Sequence, residues 1–192
     1  ATPPALSLPA GATVDVSGLL LTGSGWTLTM IPGLAGAVPT FLCSTDAPAG
    51  FTVGPNGHLY RYVAGTMTQP AAAAAAATYS AAGRFGHLAT ITSLAEQTFV
   101  FSLVGPSNSA WLDGSDATVE GVWRWTAGPE AGTQFSSGHV SVASSYVNWA
   151  GGQPDNSGGE HCLHLYRAWP NLWNDVRCTW GGNQGYVVEI SI

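Results

Sequence analysis

The 192-residue chain is long enough for one domain with a substantial extension and an ample buried core. Only 8% of its residues are charged, and five Lys plus Arg against eleven Asp plus Glu leave a formal charge of −6, which argues against nucleic acid as a partner because a phosphate backbone requires clustered basic residues. With 45% hydrophobic and 10% aromatic residues the chain is too apolar for a solvated coil, yet no apolar run is long enough to cross a bilayer and no charged n-region followed by an apolar h-region opens it.

Residues 1–56 carry turn residues between short apolar runs such as Thr13–Val16, Leu19–Leu21 and Phe41–Leu42, and the alternation in Trp26–Met30 reads as a strand with one buried face. The segment is expected to be a β-rich extension packed on the rest, a small separate β domain, or part of a larger repeat. From residue 57 the texture changes. His58–Val63 reads as a strand, and Gln69-Pro70 followed by Ala71–Ala77 as a helix with proline in its first turn, ended by Gly83 or Gly86. Leu88–Ile91 is a short strand, and Ser93-Leu94-Ala95-Glu96 has capping-box spacing for a second helix through Leu103. Strands and long Gly/Ser-rich loops follow. The order is that of an α+β fold.

The chemistry concentrates between Trp149 and Cys178. Three carboxylates (Asp155, Glu160, Asp175) and two amides (Gln153, Asn174) offer oxygen donors, which suit calcium with its six to eight oxygen ligands. Zinc would want nitrogen or sulfur. His161 and His164 are three apart, so on a strand they face opposite ways and make a poor chelate. Serine is plentiful, but no nucleophile-elbow pattern ties one to a histidine. Asn174 and Asp175 are neighbours and would also diverge on a regular strand. Both can reach one ion only if the strand ends or bends there, or if Asp175 uses its backbone carbonyl.

In that order, Gln153-Pro154-Asp155, Glu160 before Cys162, and Trp173-Asn174-Asp175 resemble the calcium-binding motifs of the C-type lectin-like domain family. Trp111-Leu112-Asp113-Gly114, Glu120-Gly121-Val122-Trp123-Arg124-Trp125, Val147-Asn148-Trp149 and Gly185–Glu189 are similar to its core and strand motifs, so the resemblance spans residues 57–192. It implies a C-type lectin-like fold, with two helices, antiparallel strands and a long calcium-binding loop region, behind the N-terminal extension. It also implies a Cys162–Cys178 disulfide, a cis peptide before Pro154, and Trp111, Trp123, Trp125 and Trp149 as core. The family's helix-to-strand disulfide is missing, with Val188 at the strand position. Cys43 is left over, either as a small buried hydrophobe or paired outside the chain.

The function implied is calcium-dependent carbohydrate binding without catalysis. Two sugar hydroxyls would complete the calcium shell while bonding to Gln153, Asp155, Glu160 and Asn174, and Gln-Pro-Asp goes with galactose-type sugars in the family. Galactose binders of the family often carry an aromatic soon after the tripeptide. Here Asn156-Ser157-Gly158-Gly159 follows, so Tyr166, Trp169 and Trp180 are the candidates for sugar packing. His161 stands where many relatives have an aspartate for an auxiliary calcium, which leaves that site doubtful, while Glu96 and Glu189 are candidates for a remote structural calcium. A calcium site and a disulfide together imply a secreted or surface-exposed protein. The lysine-free, alanine-rich style suggests a bacterial adhesin, which would need self-association or neighbouring domains for avidity. The alternative is a calcium-stabilised module that binds a protein or another surface, ice included. The distantly related formylglycine-generating enzymes need a reactive cysteine pair that Cys162 and Cys178 do not resemble.

Overall fold

The computed structural model describes residues 47–182 and 185–192. The expected β-rich segment before residue 47, and Cys43 with it, lies outside them. Residues 47–192 form one compact unit. It starts ahead of residue 57, because β1 (Thr52–Val53) pairs with β2 (Leu59–Val63).

Helix α1 (Gln69–Ala76) carries Pro70 in its first turn, where a missing N–H costs nothing. It stops before either glycine expected to end it. The amides of Thr78 and Tyr79 close on the carbonyls of Ala75 and Ala76, and a small hairpin of β3 (Ser80–Ala81) and β4 (Arg84–Phe85) turns at Ala82-Gly83. After β5 (His87–Leu88), α2 (Leu94–Val104) opens on Ser93, whose hydroxyl accepts from the Glu96 amide. The Glu96 carboxylate does not close the box on Ser93. It accepts from the Thr92 amide and hydroxyl, and from Tyr60.

Strands β6 (Ala110–Ser115), β7 (Val122–Arg124), β8 (Gln134–Ser137), β9 (Val140–Ser141), β10 (Cys162–Leu165), β11 (Trp173–Val176) and β12 (Gly185–Ile190) complete the fold. Closing strand β12 lies antiparallel to β2, with Ile190 opposite Leu59, and parallel to β6, which ties the two ends of the unit together. The alternation of strand side chains divides the interior. Val187, Ala110, Leu112, Leu163 and Trp173 join Val100 and Val104 of α2 in one core, while Val188, Trp111, Cys162 and Val176 join Ala72 and Ala76 of α1 in another. Val188 packs against the alanine face of α1, at the strand position where the family's disulfide would stand. Trp111, Trp123 and Trp125 are buried, and Trp149 packs half-buried against Trp123 and Trp173.

Candidate calcium and carbohydrate site

Residues 149–160 form a loop anchored at both ends of β11. At its start, the Ala150 amide donates to the Trp173 carbonyl (2.9 Å) and the Trp173 amide to the Asn148 carbonyl (2.8 Å). Further on, the buried Asp175 carboxylate accepts from the amides of Asp155 (3.2 Å) and Asn156 (2.8 Å). Asn156 holds a positive φ of 50°, which asparagine tolerates, and its side chain accepts from the Glu160 amide (2.7 Å). Gly158, at φ +77°, leaves room for Arg177, whose Nε donates to the Gly158 carbonyl (3.0 Å). The Cys162–Cys178 disulfide joins the start of β10 to the segment after β11. The Gln69 amide donates to the Cys178 carbonyl, so α1 holds the same corner.

These anchors gather carboxylate oxygens of Asp155, Glu160 and Asp175 within 4.8 Å of one another. Burial raises the Glu160 and Asp175 pKa values, and the charges of Asp175 and Asp155 push Glu160 up further. The Gln153–Pro154 peptide is cis, and the buried Gln153 Oε1 has no hydrogen-bond partner among the described residues. A buried amide oxygen left unpaired costs about 1–3 kcal/mol. A hard cation among the carboxylates would satisfy it and offset their repulsion, so the donor set fits calcium.

Strand β11 neither ends nor bends between Asn174 and Asp175: both pair with β10, opposite His164 and Leu163. Asp175 turns its carboxylate to the loop, while Asn174 lies on the other face and donates to the Asp175 backbone carbonyl. The Asp175 backbone carbonyl is thus met by the Asn174 side-chain amide.

A cleft of about 340 Å³ unites Gln153, Asp155, Glu160 and Asn174 with Tyr166, Trp169 and Trp180. Trp169 and Trp180 are 38% and 41% exposed. Ser157, His164, Val176 and Arg177 also line it; of these the sequence reading weighed only His164, and only as a metal ligand. His164, three residues after His161, stacks on Tyr166 (5.2 Å) and meets the Asn174 amide (3.0 Å); Arg177 closes the loop side. The alternation of β10 from buried Cys162 was a signal for His164, since it places that side chain on the Asn174 face. A larger cleft of about 590 Å³, lined by His139 and residues 147–153, shares only Gln153 with the site and holds no carboxylate.

The remote pair is built differently. Glu189 accepts from His58 Nδ1 (2.5 Å) and the Thr90 amide (3.0 Å), and Glu96 from the Tyr60 hydroxyl (2.5 Å). At the place considered for a structural calcium, protein donors already meet both carboxylates.

Residues 71–185 match the Lectin C-type domain family. Among curated relatives, the chain is 33% identical over 135 residues to halomucin of Haloquadratum walsbyi, covering 70% of this chain and 1% of halomucin. It is 38% identical over 97 residues to perlucin of Haliotis laevigata (48% of this chain, 54% of perlucin). It is 28% identical over 131 residues to an alpha-N-acetylgalactosamine-specific lectin of Patiria pectinifera (65% of this chain, 70% of that lectin). The chain thus spans about half of perlucin and a small fraction of halomucin. Most of its relatives are eukaryotic, so they lend no support to a bacterial origin. Among solved structures, the C-type lectin CEL-I of Cucumaria echinata superposes with a TM-score of 0.61 at 24% identity, covering 76% of this chain and 98% of CEL-I. A calcium-independent type II antifreeze protein superposes at 0.57 and 24% identity, covering 79% and 95%. At this identity both likenesses establish the fold alone. No described helix is long and apolar enough to cross a membrane.

Proposed function

Because the chain belongs to the C-type lectin domain family, we propose that it is a calcium-dependent carbohydrate-binding domain of the galactose type, held by Gln153, Asp155, Glu160, Asn174 and Asp175. The observation that carries this reading is the unpaired, buried Gln153 Oε1 in the loop that gathers three carboxylates. Five side chains and the Asp175 carbonyl reach the lower end of the six to eight oxygens calcium takes.

Calcium supplies a centre on which two vicinal sugar hydroxyls can be polarised. The protein's part is to orient those hydroxyls. Carboxylates of Asp155 and Glu160 accept hydrogen bonds from them, and the amide NH₂ groups of Gln153 and Asn174 donate to their oxygens. With the amide first and the carboxylate third in Gln153-Pro154-Asp155, donor and acceptor stand in the order associated with galactose-type sugars. The apolar sugar face would pack on Trp169 or Trp180, whose exposed rings share the cleft. The name of the alpha-N-acetylgalactosamine-specific relative points the same way. The family is one of binding proteins, and no catalytic step is assigned. The reading includes action outside the cell, and avidity from self-association or from neighbouring domains.

The test is a glycan-array profile of the full chain with calcium and again with a chelator. Calcium-dependent binding to galactose-type sugars is the expected result. Calcium uptake without glycan binding would replace the sugar by a protein or other surface ligand.

A further inference from the structure

We infer that Arg177 selects acidic galactose-type sugars, those that carry a carboxylate or a sulfate beside the hydroxyls held at the calcium site. This rests on the sugar-binding reading given above and narrows its ligand class. Of the chain's five Lys and Arg residues, Arg177 is the one that lines the cleft, where it borders Asp155, Ser157 and Glu160. The loop fixes its position. Arg177 Nε donates to the Gly158 carbonyl (3.0 Å), and a Cβ at residue 158 would collide with Nη2, so the guanidinium fills the space that this glycine leaves. Its terminal nitrogens are unspent. Among the described residues neither has a hydrogen-bond partner, and no carboxylate forms an ion pair with them.

Neutralising the calcium-site carboxylates is not what seats Arg177 there. Burial and the charges of Asp175 and Asp155 push the Glu160 pKa up, and the weaker pull of Arg177 does not reverse them. An exposed guanidinium bordering a ligand cleft suits a planar carboxylate or a sulfate ester, which it can meet with paired, charge-assisted hydrogen bonds. The charge balance agrees. Three carboxylates around a doubly charged cation leave one negative charge, which would repel an acidic sugar, and Arg177 offsets it. Sugar chemistry limits where the anion can stand. A site that tells galactose from its C4 epimer must hold the 4-hydroxyl, and the one hydroxyl vicinal to it on a pyranose ring is at C3. That pair is committed to the ion. The acidic group therefore belongs at a flanking carbon, as a carboxylate or sulfate at C6 or a sulfate at C2.

The experiment is a calorimetric titration of the full chain in calcium with methyl galactoside, methyl galacturonide, galactose 6-sulfate and galactose 2-sulfate. At least one acidic sugar is expected to bind about fivefold more tightly than the neutral one, the upper end for an exposed pair of charges, with the ratio falling as salt is raised. Whichever acidic sugar binds best tells carboxylate from sulfate and C6 from C2. Arg177→Gln should bring the ratio to one or below, and Arg177→Lys should recover part of it. Arg84→Gln removes the same charge away from the cleft and should leave the ratio unchanged. A purely structural role for Arg177 in the loop would move neutral and acidic sugars together, and an unchanged ratio in Arg177→Gln would overturn the proposal. So would a wild-type ratio of one or below while the neutral sugar binds, or acidic-sugar binding that survives a chelator. Binding of neither kind of sugar would remove the underlying reading, and this selectivity with it.

Discussion

Two acidic clusters in this molecule are built from the same residue types and finished in opposite ways. Under β12, Glu96 and Glu189 are each 1% exposed, and the fold answers them with His58, Tyr60, Thr90 and Thr92. In the loop half, backbone amides of Asp155 and Asn156 position Asp175, and Arg177 acts on Glu160 through its charge, but among the described residues no ion pair joins Asp155, Glu160 or Asp175, and Gln153 Oε1 is left unpaired. Buried charge must be met by something. The difference teaches that the sheet half meets it internally, while the loop half, on the reading proposed above, leaves it to a ligand.

Asp155→Ala breaks this comparison most sharply. It should abolish calcium and sugar binding together, yet change calcium-free stability by no more than about 0.5 kcal/mol, because the side chain is exposed. Calorimetry with calcium, and urea unfolding without it, check the two halves of that statement. Sugar binding that persists after calcium is lost would sink the coordination scheme.

His58→Ala is the counterpart in the sheet half. Leaving Glu189 buried without its partner should cost about 3 kcal/mol by urea unfolding, with calcium affinity unchanged. The cost should depend on pH. The hydrogen bond to Glu189 raises the His58 pKa above its ordinary 6.5, so that share of stability is full below 6.5 and is lost as pH rises through the raised value. Burial pushes Glu189 up, but the His58 bond and the neighbouring histidine charges outweigh it and hold its pKa below 4.5. That share is full above 4.5 and is lost as pH falls through the lowered value. The difference between wild type and variant should therefore peak between these two pH values. Glu96, raised chiefly by burial, favours low pH in both proteins and does not create the peak. A flat difference would show that His58 only fills space.

Replacing Cys162 and Cys178 together by serine should lower stability by about 3 kcal/mol, from their 16-residue separation, and weaken calcium binding because the loop corner is released. Unchanged calcium affinity would mean that Asp175 alone holds the loop. Converting Gln153 to Glu together with Asp155 to Asn should keep calcium and move preference toward mannose-type sugars on the array. If the preference stays put, the cleft aromatics set it. The smallest effect is expected from Trp169→Ala, about 1 kcal/mol in sugar affinity with no change in calcium affinity. If Trp180→Ala gives that loss instead, the sugar packs on the other ring.

Local patterns carried much of this in one dimension. The proline-led alanine helix lies where its propensities put it, and the second helix starts at Ser93. Its capping carboxylate turned instead to Thr92, one residue ahead of Ser93, and to the Tyr60 hydroxyl, a tertiary partner that no local spacing announces. The first helix ended early for a similar reason. The hairpin at Ala82-Gly83 and the packing of Gly86 against the Ala76 carbonyl stop it before the glycines expected to end it. Among the expected site residues, the carboxylates of Asp155, Glu160 and Asp175 do meet, but only the strand register decided that Asn174 would face His164 and the aromatics.

By itself the sequence determined the α+β order and which side chains offer hard oxygen donors, because these follow from residue chemistry and short-range periodicity, while the resemblance of its motifs to the C-type lectin-like domain family implied the fold and the family. Tertiary structure alone decided which acids are satisfied. His58 meets Glu189 across 131 positions, and His161 meets Asp116 across 45. Whether a carboxylate is neutralised by the protein or left for an ion depends on such distant pairings, since electrostatic energy follows separation in space and dielectric surroundings rather than position along the chain.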